Sequence, residues 1–405
     1  MKICVIGGGA SGMIAAGFAK NENNQVVLFE KNEKLGKKIY ITGKGRCNVT
    51  NNTEVQEFMK NVVSNPKFLT GCLYSFTPND LMQLIEENGV KLKTERGNRV
   101  FPVSDKSSDI IKALEYFVRN SGVEVRLNEN VINIAKNEKF IIKTDLNEYT
   151  FDKVIIATGG LSYKSTGSTG DGYKFAKLLG HSVTELKAGL TSISLKDEYI
   201  AKLEGISLKN VTLNTYINGK KKFEEFGEML FTKNGISGPI VLTTSSKIAK
   251  FKQDDVSFTI DFKPALDYET LNNRLLREFN ANINKNVSNV ISELLPSRLV
   301  SAFLDVCKIN EYKKVNTITK QERQSIITNL KAFPITFEKV DKIDNAVITI
   351  GGVKTSEINP ATMESKIVSG LYFAGEVIDV DALTGGYNLQ IAFSTGYVAG
   401  KNASY

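Results

Sequence analysis

Histidine is almost missing from this chain of 405 residues, which has only His181. Cysteine is scarce as well: Cys4, Cys47, Cys72 and Cys307 are far apart, and no CxxC pair exists. These two scarcities leave no ligand set for a metal centre, because such sites draw on clustered imidazoles and thiolates. They also exclude a disulfide framework and point to reduced thiols in a cytoplasmic protein. No apolar run reaches about 18 residues, so no membrane-spanning helix is expected. The apolar strand begins directly after Met1, so no signal peptide is expected. Internal repeats, low-complexity tracts and arginine clusters with interleaved aromatics are absent too. The net charge is +8 and the pI about 9.0, yet the lysines are spread along the chain. A small-molecule substrate is therefore the expected partner, and nucleic acid is not. Lone His181, following Gly180, reads as structural.

What is present is ordinary in bulk and specific in detail. A hydrophobic content of 41% and a charged content of 24% fit a globular protein of two or three domains. Near the N-terminus the apolar run Lys2-Ile3-Cys4-Val5-Ile6 leads into Gly7-Gly8-Gly9-Ala10-Ser11-Gly12. A helix-compatible stretch follows, then a second apolar run, Val26-Val27-Leu28-Phe29, closed by Glu30. Strand, glycine turn, helix, strand and carboxylate in that order are the βαβ unit of dinucleotide binding. Gly7 allows the tight turn, Gly9 the approach of a pyrophosphate to the helix N-terminus, and Gly12 close packing of helix on strand. Glu30 accepts from ribose hydroxyls. NAD and FAD share the half that this motif reads, so it does not choose between them.

Further along, Asn79–Asn88 and Ser107–Asn120 carry apolar stripes at helical spacing, the second through Ile110, Ile111, Leu114, Phe117 and Val118. Lys31–Asn52 reads as a long polar loop. Val123–Leu127, Phe140–Ile142 and Tyr149–Phe151 read as short strands, and Lys153–Ala157 as a buried strand ending in Thr158-Gly159-Gly160. A glycine-rich stretch, Thr166–Gly172, then leads to a helix from Tyr173 to Leu179. From 191 to about 265 the pattern is β-type. From 266 to 330 it is helical and polar, and strand character returns at Pro334–Phe337. The expected division is a discontinuous nucleotide domain, 1–190 with 340–405, interrupted by an insert over 191–339.

The last segment carries a second signal. Leu371-Tyr372-Phe373-Ala374 is an apolar strand that ends in Gly375-Glu376. Leu383-Thr384-Gly385-Gly386-Tyr387-Asn388-Leu389-Gln390 then opens a helix. Amides at that helix start, with the positive end of its dipole, suit the pyrimidine edge of a reduced flavin. Glu376 is placed to accept from a ribityl hydroxyl.

These blocks, with Gly36-Lys37-Lys38-Ile39 through Thr42-Gly43-Lys44-Gly45-Arg46-Cys47-Asn48-Val49-Thr50-Asn51, resemble the HI0933-like family of NAD(P)/FAD-dependent oxidoreductases, within the two-dinucleotide-binding flavoproteins. Met229–Thr232 and Gly235–Pro239 resemble that family's insert. The resemblance implies an α/β fold: a Rossmann-like FAD-binding domain with a central parallel sheet, and an inserted domain with a β-barrel-like part and a helical part. It implies FAD as cofactor, with contacts from Gly7, Gly9, Ala10, Ser11, Gly12, Glu30, Lys31, Lys38, Thr42, Gly43, Arg46, Cys47, Asn48, Thr158, Gly159 and Gly160. Gly375, Glu376, Gly385, Gly386, Tyr387, Asn388, Leu389 and Gln390 complete that set. Asp171 reads equally as the acid of a helix terminus. Cys47 and Lys233 are the candidates for catalysis; relatives often carry His where Lys233 stands, which puts a proton-transfer role there in doubt.

No second GxGxxG follows a strand, so NAD(P)H is expected to dock transiently as reductant. The activity expected is hydride transfer from NAD(P)H through flavin N5 to an organic acceptor, with an enone-type double bond as the acceptor class that some relatives suggest. The alternatives are a flavin-dependent RNA-modifying enzyme and a non-catalytic FAD-binding protein.

Overall fold

The computed structural model describes residues 1–252 and 255–405. It divides into two units, Met1–Gly189 with Ile343–Tyr405, and Leu190–Lys342.

The first unit is built on a five-stranded sheet in the order Leu371–Phe373, Lys153–Ile156, Lys2–Ile6, Gln25–Glu30, Glu124–Leu127, with every pairing parallel. The strands read as unbroken apolar runs because helices cover both faces of such a sheet: Ile3, Cys4, Val5, Val154, Ile155, Ile156, Leu371 and Phe373 are fully buried. A terminal strand joins this sheet because Val154, Ile155 and Ile156 pair with Leu371, Tyr372 and Phe373.

Small residues set the helix packing beside the sheet. The first helix, Ala10–Ala19, meets the C-terminal helix, Tyr387–Ala403. A Cβ on Gly396 would stand 2.4 Å from the Ser11 carbonyl oxygen, and one on Gly400 would stand 2.3 Å from that of Ala15. Side chains larger than hydrogen at these positions would push the helices apart. The amphipathic helix Ser107–Asn120 buries Ile110, Ile111, Leu114 and Val118 as its spacing dictates. Phe117 of that helix lies over Gly17. Val131–Lys136, Phe140–Thr144 and Glu148–Phe151 form an antiparallel meander.

Three stretches refine or depart from the sequence reading. Lys31–Asn52 is not simply a polar loop. Ile39–Gly45 forms 3₁₀ turns, and Thr50–Asn51 pairs with Arg99–Pro102. Three of its apolar residues, Leu35, Ile39 and Val49, are buried and anchor it, whereas Ile41 is exposed. Pro334–Phe337 is two strands, Phe333–Ile335 and Phe337–Val340. They break at Thr336, whose amide and hydroxyl both bind the Asp197 carboxylate.

That break matters to the second unit. Its seven-stranded sheet runs Phe333–Ile335, Val256–Asp261, Ser207–Ile217, Lys220–Thr232, Gly235–Ser237, Ile193–Leu195, Phe337–Val340. The two edge strands are separated in the chain by Thr336 alone, so the sheet curls until its edges meet, which is barrel-like. Helix Pro239–Ile248 lies within the stretch read as β-type; Pro239 at its first turn is the start signal. Four helices, Tyr268–Ala281, Val287–Ile291, Ser297–Cys307 and Lys320–Lys331, make the helical part.

Candidate functional site

The glycine turn separates what the fold demands from what it leaves open. Gly7 has φ +103°, and a Cβ there would stand 2.6 Å from the Ala157 carbonyl oxygen. A Cβ on Gly12 would stand 1.8 Å from the Gly7 carbonyl oxygen. Both glycines are thus required by packing. A Cβ on Gly9, by contrast, would meet nothing within 4 Å. Gly9 caps the first helix with extended backbone, and no side chain caps that helix. Open space beside uncapped helix amides is a cradle for an anion.

Glu30, at the end of its strand, is 8% exposed. Its carboxylate accepts from the Gly8 amide at 2.8 Å and from the Asn32 amide at 2.9 Å, so its orientation is fixed. Lys31 turns to Asp171, 2.7 Å away, which lies in the first turn of helix Asp171–Leu178.

The loop that follows is backbone-strained. Gly43 has φ +56°, and Lys44 and Cys47 hold φ of +58° and +57° with side chains present. Non-glycine residues stay in this region only where their surroundings impose it, commonly at functional sites. The Thr42 hydroxyl donates to the Ile39 carbonyl at 2.7 Å. Arg46 points to Glu95 and Asp105 and lies 4.1 Å from the centre of the Phe101 ring. Cys47 is fully buried, and burial pushes its thiol up to about 12 despite a hydrogen bond with Thr42. A thiol held protonated in this way is a poor nucleophile and a poor redox partner. The Asn48 side-chain oxygen is buried and has no partner among the described residues.

This loop meets the C-terminal block. The Thr50 hydroxyl donates to the Gln390 side-chain oxygen at 2.7 Å, and the Asn51 side-chain amide donates to the Gly385 carbonyl at 3.1 Å. Gly386, at φ +96°, lies so close that a Cβ would stand 2.4 Å from the Thr50 carbonyl. The helix Tyr387–Ala403 starts there without a side-chain cap. Asn388 and Gln390 contribute structure through their side chains: Asn388 donates to the Ala382 carbonyl at 2.8 Å and accepts from its amide at 2.9 Å. Gln390, fully buried, also donates to the Phe76 carbonyl at 3.1 Å. Tyr387 sets its ring edge-on to Phe58, and Leu389 is half-buried.

Between these regions, Gly159 has φ +70°, and a Cβ on Gly160 would stand 2.5 Å from the Thr349 hydroxyl. The Thr158 hydroxyl is buried without a partner among the described residues. The Glu376 carboxylate accepts from Lys38 at 2.9 Å, the Thr349 amide at 2.7 Å and the Ser162 hydroxyl at 3.1 Å. Burial works to raise Glu376, but the Lys38 charge and these donors outweigh it and hold the carboxyl below its ordinary value. Ser162 and Thr349 carry no sequence signal for this role; only the fold brings them to Glu376. Gly375 has a Cβ position 2.4 Å from the Ser11 hydroxyl, which ties this block to the first helix.

His181 is buried, bonded through Nε2 to the Ser365 hydroxyl at 2.7 Å and edge-on to Phe373. Lys233 belongs to the second unit. It is exposed and lines a depression of about 310 Å³ with Ser194, Asp197 and Glu338. Among the described residues, no group of His, Cys, Asp and Glu could hold a metal, and no helix is long and apolar enough to cross a membrane.

The open cradle at Gly9, the fixed Glu30 carboxylate and two helix starts without side-chain caps fit a bound dinucleotide. The family profile described as HI0933-like protein Rossmann domain matches residues 1–402. The chain is 31% identical over 412 residues to the 3-dehydro-bile acid delta(4,6)-reductase of Clostridium scindens, covering 100% of this chain and 99% of that one. It is 32% identical over 404 residues to the ribosomal RNA dihydrouridine synthase of Escherichia coli, covering 98% of this chain and 96% of that one. Among solved structures, the 3-ketosteroid-delta4-(5alpha)-dehydrogenase of Rhodococcus jostii superposes with a TM-score of 0.53 at 14% identity, covering 100% of this chain and 96% of that one, a likeness of fold.

Proposed function

The chain belongs to the HI0933-like family, and from that premise we propose that it is a FAD-dependent oxidoreductase that saturates a carbon–carbon double bond conjugated to a carbonyl. The observation that carries this reading is the meeting of the strained loop around Gly43–Asn51 with the uncapped start of the C-terminal helix. The names of the two full-length relatives support it. A delta(4,6)-reductase of a 3-dehydro steroid and a dihydrouridine synthase both add a hydride and a proton across a double bond in conjugation with a ring carbonyl.

The amides that begin the first helix, next to Gly9, would hold the cofactor pyrophosphate, and Glu30 the adenosine ribose. The amides at Tyr387 and Asn388, with the helix dipole, would favour negative charge at the ring edge beside them. Lys38, Ser162 and the Thr349 amide hold the Glu376 carboxylate ionised and fixed in orientation. Bound FAD supplies the hydride chemistry, with NAD(P)H as the proposed reductant.

A second reading, a uracil base of RNA as the acceptor, is favoured by one observation. The second unit, residues 190–342, holds 23 basic and 18 acidic residues, so it contributes most of the net charge of +8.

Purified protein should be yellow and release FAD on denaturation. Anaerobic NADH or NADPH should bleach the flavin, and an enone steroid or a uridine-containing RNA should restore its colour as the saturated product appears by mass spectrometry. A colourless protein that cannot be reconstituted with FAD overturns the proposal. Bound FAD that neither nicotinamide reduces would mark a non-catalytic binder.

A further inference from the structure

In the helical part of the second unit, a short antiparallel ribbon joins two stretches far apart in sequence. The Val287 amide donates to the Lys313 carbonyl at 2.8 Å, the Val315 amide to the Lys285 carbonyl at 3.0 Å, and Asn286 pairs with Lys314. Val287 and Val315 are buried and fix the register. The ribbon thereby brings Lys285 and Lys314 onto adjoining strands and carries Tyr312, 70% exposed, at its turn side. Lys308, the left-handed cap of helix Ser297–Cys307, and Lys320, at the start of the next helix, flank it. Lys285, Lys308, Lys314 and Lys320 are exposed and form no ion pair among the described residues; Lys313 is paired with Glu322 at 2.6 Å. Between residues 285 and 322 the acids are Glu293, Asp305, Glu311 and the paired Glu322, against six lysines and arginines, so basic residues predominate in this stretch.

Exposed ammonium groups around an exposed aromatic ring are the elements that bind single-stranded nucleic acid. The lysines track phosphates, and the ring offers a base a stacking face. We propose that this ribbon docks single-stranded RNA, with Lys285, Lys308 and Lys314 on the backbone and Tyr312 stacked on a base. The proposal rests on the second reading above, an RNA base as acceptor.

The test uses the full chain with its FAD and a labelled, uridine-rich RNA of about 16 nucleotides, with binding followed by anisotropy across a salt series. Replacing Lys285, Lys308 and Lys314 together by Gln should lower the log–log salt slope by about 2 and weaken binding about 100-fold at about 0.1 M salt. Tyr312→Ala should weaken it about 5- to 150-fold with the slope unchanged, and Tyr312→Phe should restore it. The control is the triple change of Lys220, Lys221 and Lys222 to Gln at the hairpin tip. It removes the same charge at the end of strand Val256–Asp261 opposite the helical part, and should cost less than about 3-fold. All substituted residues are exposed, and unchanged FAD content and unfolding midpoint verify the fold.

Equal losses from both triple changes would mean bulk electrostatics and overturn the proposal. An unaffected Tyr312→Ala would overturn it too. So would RNA-independent binding to phosphatidylserine vesicles lost in the same variants, which would make the ribbon a membrane-surface contact. RNA binding is read without turnover, so failure of the oxidoreductase reading would appear separately, in FAD content and reduction.

Discussion

Two glycines of one turn, three residues apart, should fail in opposite ways when a methyl group is added. At Gly12 the new Cβ would stand 1.8 Å from the Gly7 carbonyl oxygen, and backbone on both sides cannot give way. Gly12→Ala should cost about 3 kcal/mol of stability by overpacking, a fall in melting temperature of roughly 6–12 °C, with or without cofactor. At Gly9 the Cβ meets nothing within 4 Å, and φ −80°, ψ −167° is a conformation that alanine adopts freely. The stabilisation from a less flexible unfolded chain, about 0.4–1 kcal/mol, is offset by the slightly poorer helix cap, roughly 0.5 kcal/mol. The apoprotein carrying Gly9→Ala should therefore melt within about 2 °C of the parent. Its FAD affinity should nevertheless fall about 10- to 100-fold, the equivalent of one hydrogen bond to a charged phosphate, about 1.5–3 kcal/mol. The measurements are scanning calorimetry of the apoprotein and fluorescence titration with FAD. Unchanged FAD affinity in Gly9→Ala would refute the assignment of this space to a pyrophosphate, and a large loss of apoprotein stability would refute the claim that the space is open.

Three further outcomes follow from the site. Lys38→Met should leave the Glu376 carboxylate without its cation and cost roughly 1.5–3 kcal/mol at neutral pH. Because Lys38 helps to depress the carboxyl, that contribution is present above its ordinary value of 4.5 and is lost as pH falls through the folded value; denaturation curves of the two proteins should converge in acid. His181 is held below its ordinary 6.5 by burial, against the opposing pull of Glu357. The unfolded chain then takes up the proton first, so stability should fall as pH drops below about 6.5. His181→Leu should flatten that part of a melting-temperature profile; an unchanged profile would assign it to other groups. Cys47→Ser should leave flavin reduction by NAD(P)H within about 3-fold, since a thiol pushed up to about 12 is protonated at neutral pH; a loss of 100-fold or more in stopped-flow traces would restore a redox role for Cys47.

The parts legible in the sequence are those whose causes are local. The glycine turn, the alternation of strand and helix, and the stripe of Ser107–Asn120 depend on residues within one or two turns of each other, so spacing alone reveals them. The polar stretch after Glu30 is a loop with 3₁₀ turns, but the buried Leu35, Ile39 and Val49 that anchor it are hidden among many polar residues. The single strand expected at Pro334–Phe337 breaks because Asp197, 139 residues away, binds Thr336. No window along the chain contains that pair.

The same reasoning applies within the site. Arg46 and Gln390 stand in the expected blocks, but their side chains are engaged by Glu95, Asp105, Thr50 and Phe76. A motif says which residue types a segment needs, whereas the fold decides which atoms remain free for a ligand. What it leaves free here is mostly backbone: the amides beside Gly9 and those after Gly386, where no side chain caps the helix. Substitutions that reshape these backbone positions should therefore affect the cofactor more than truncation of the polar side chains beside them, because those side chains hold the backbone in place and the amides make the contact.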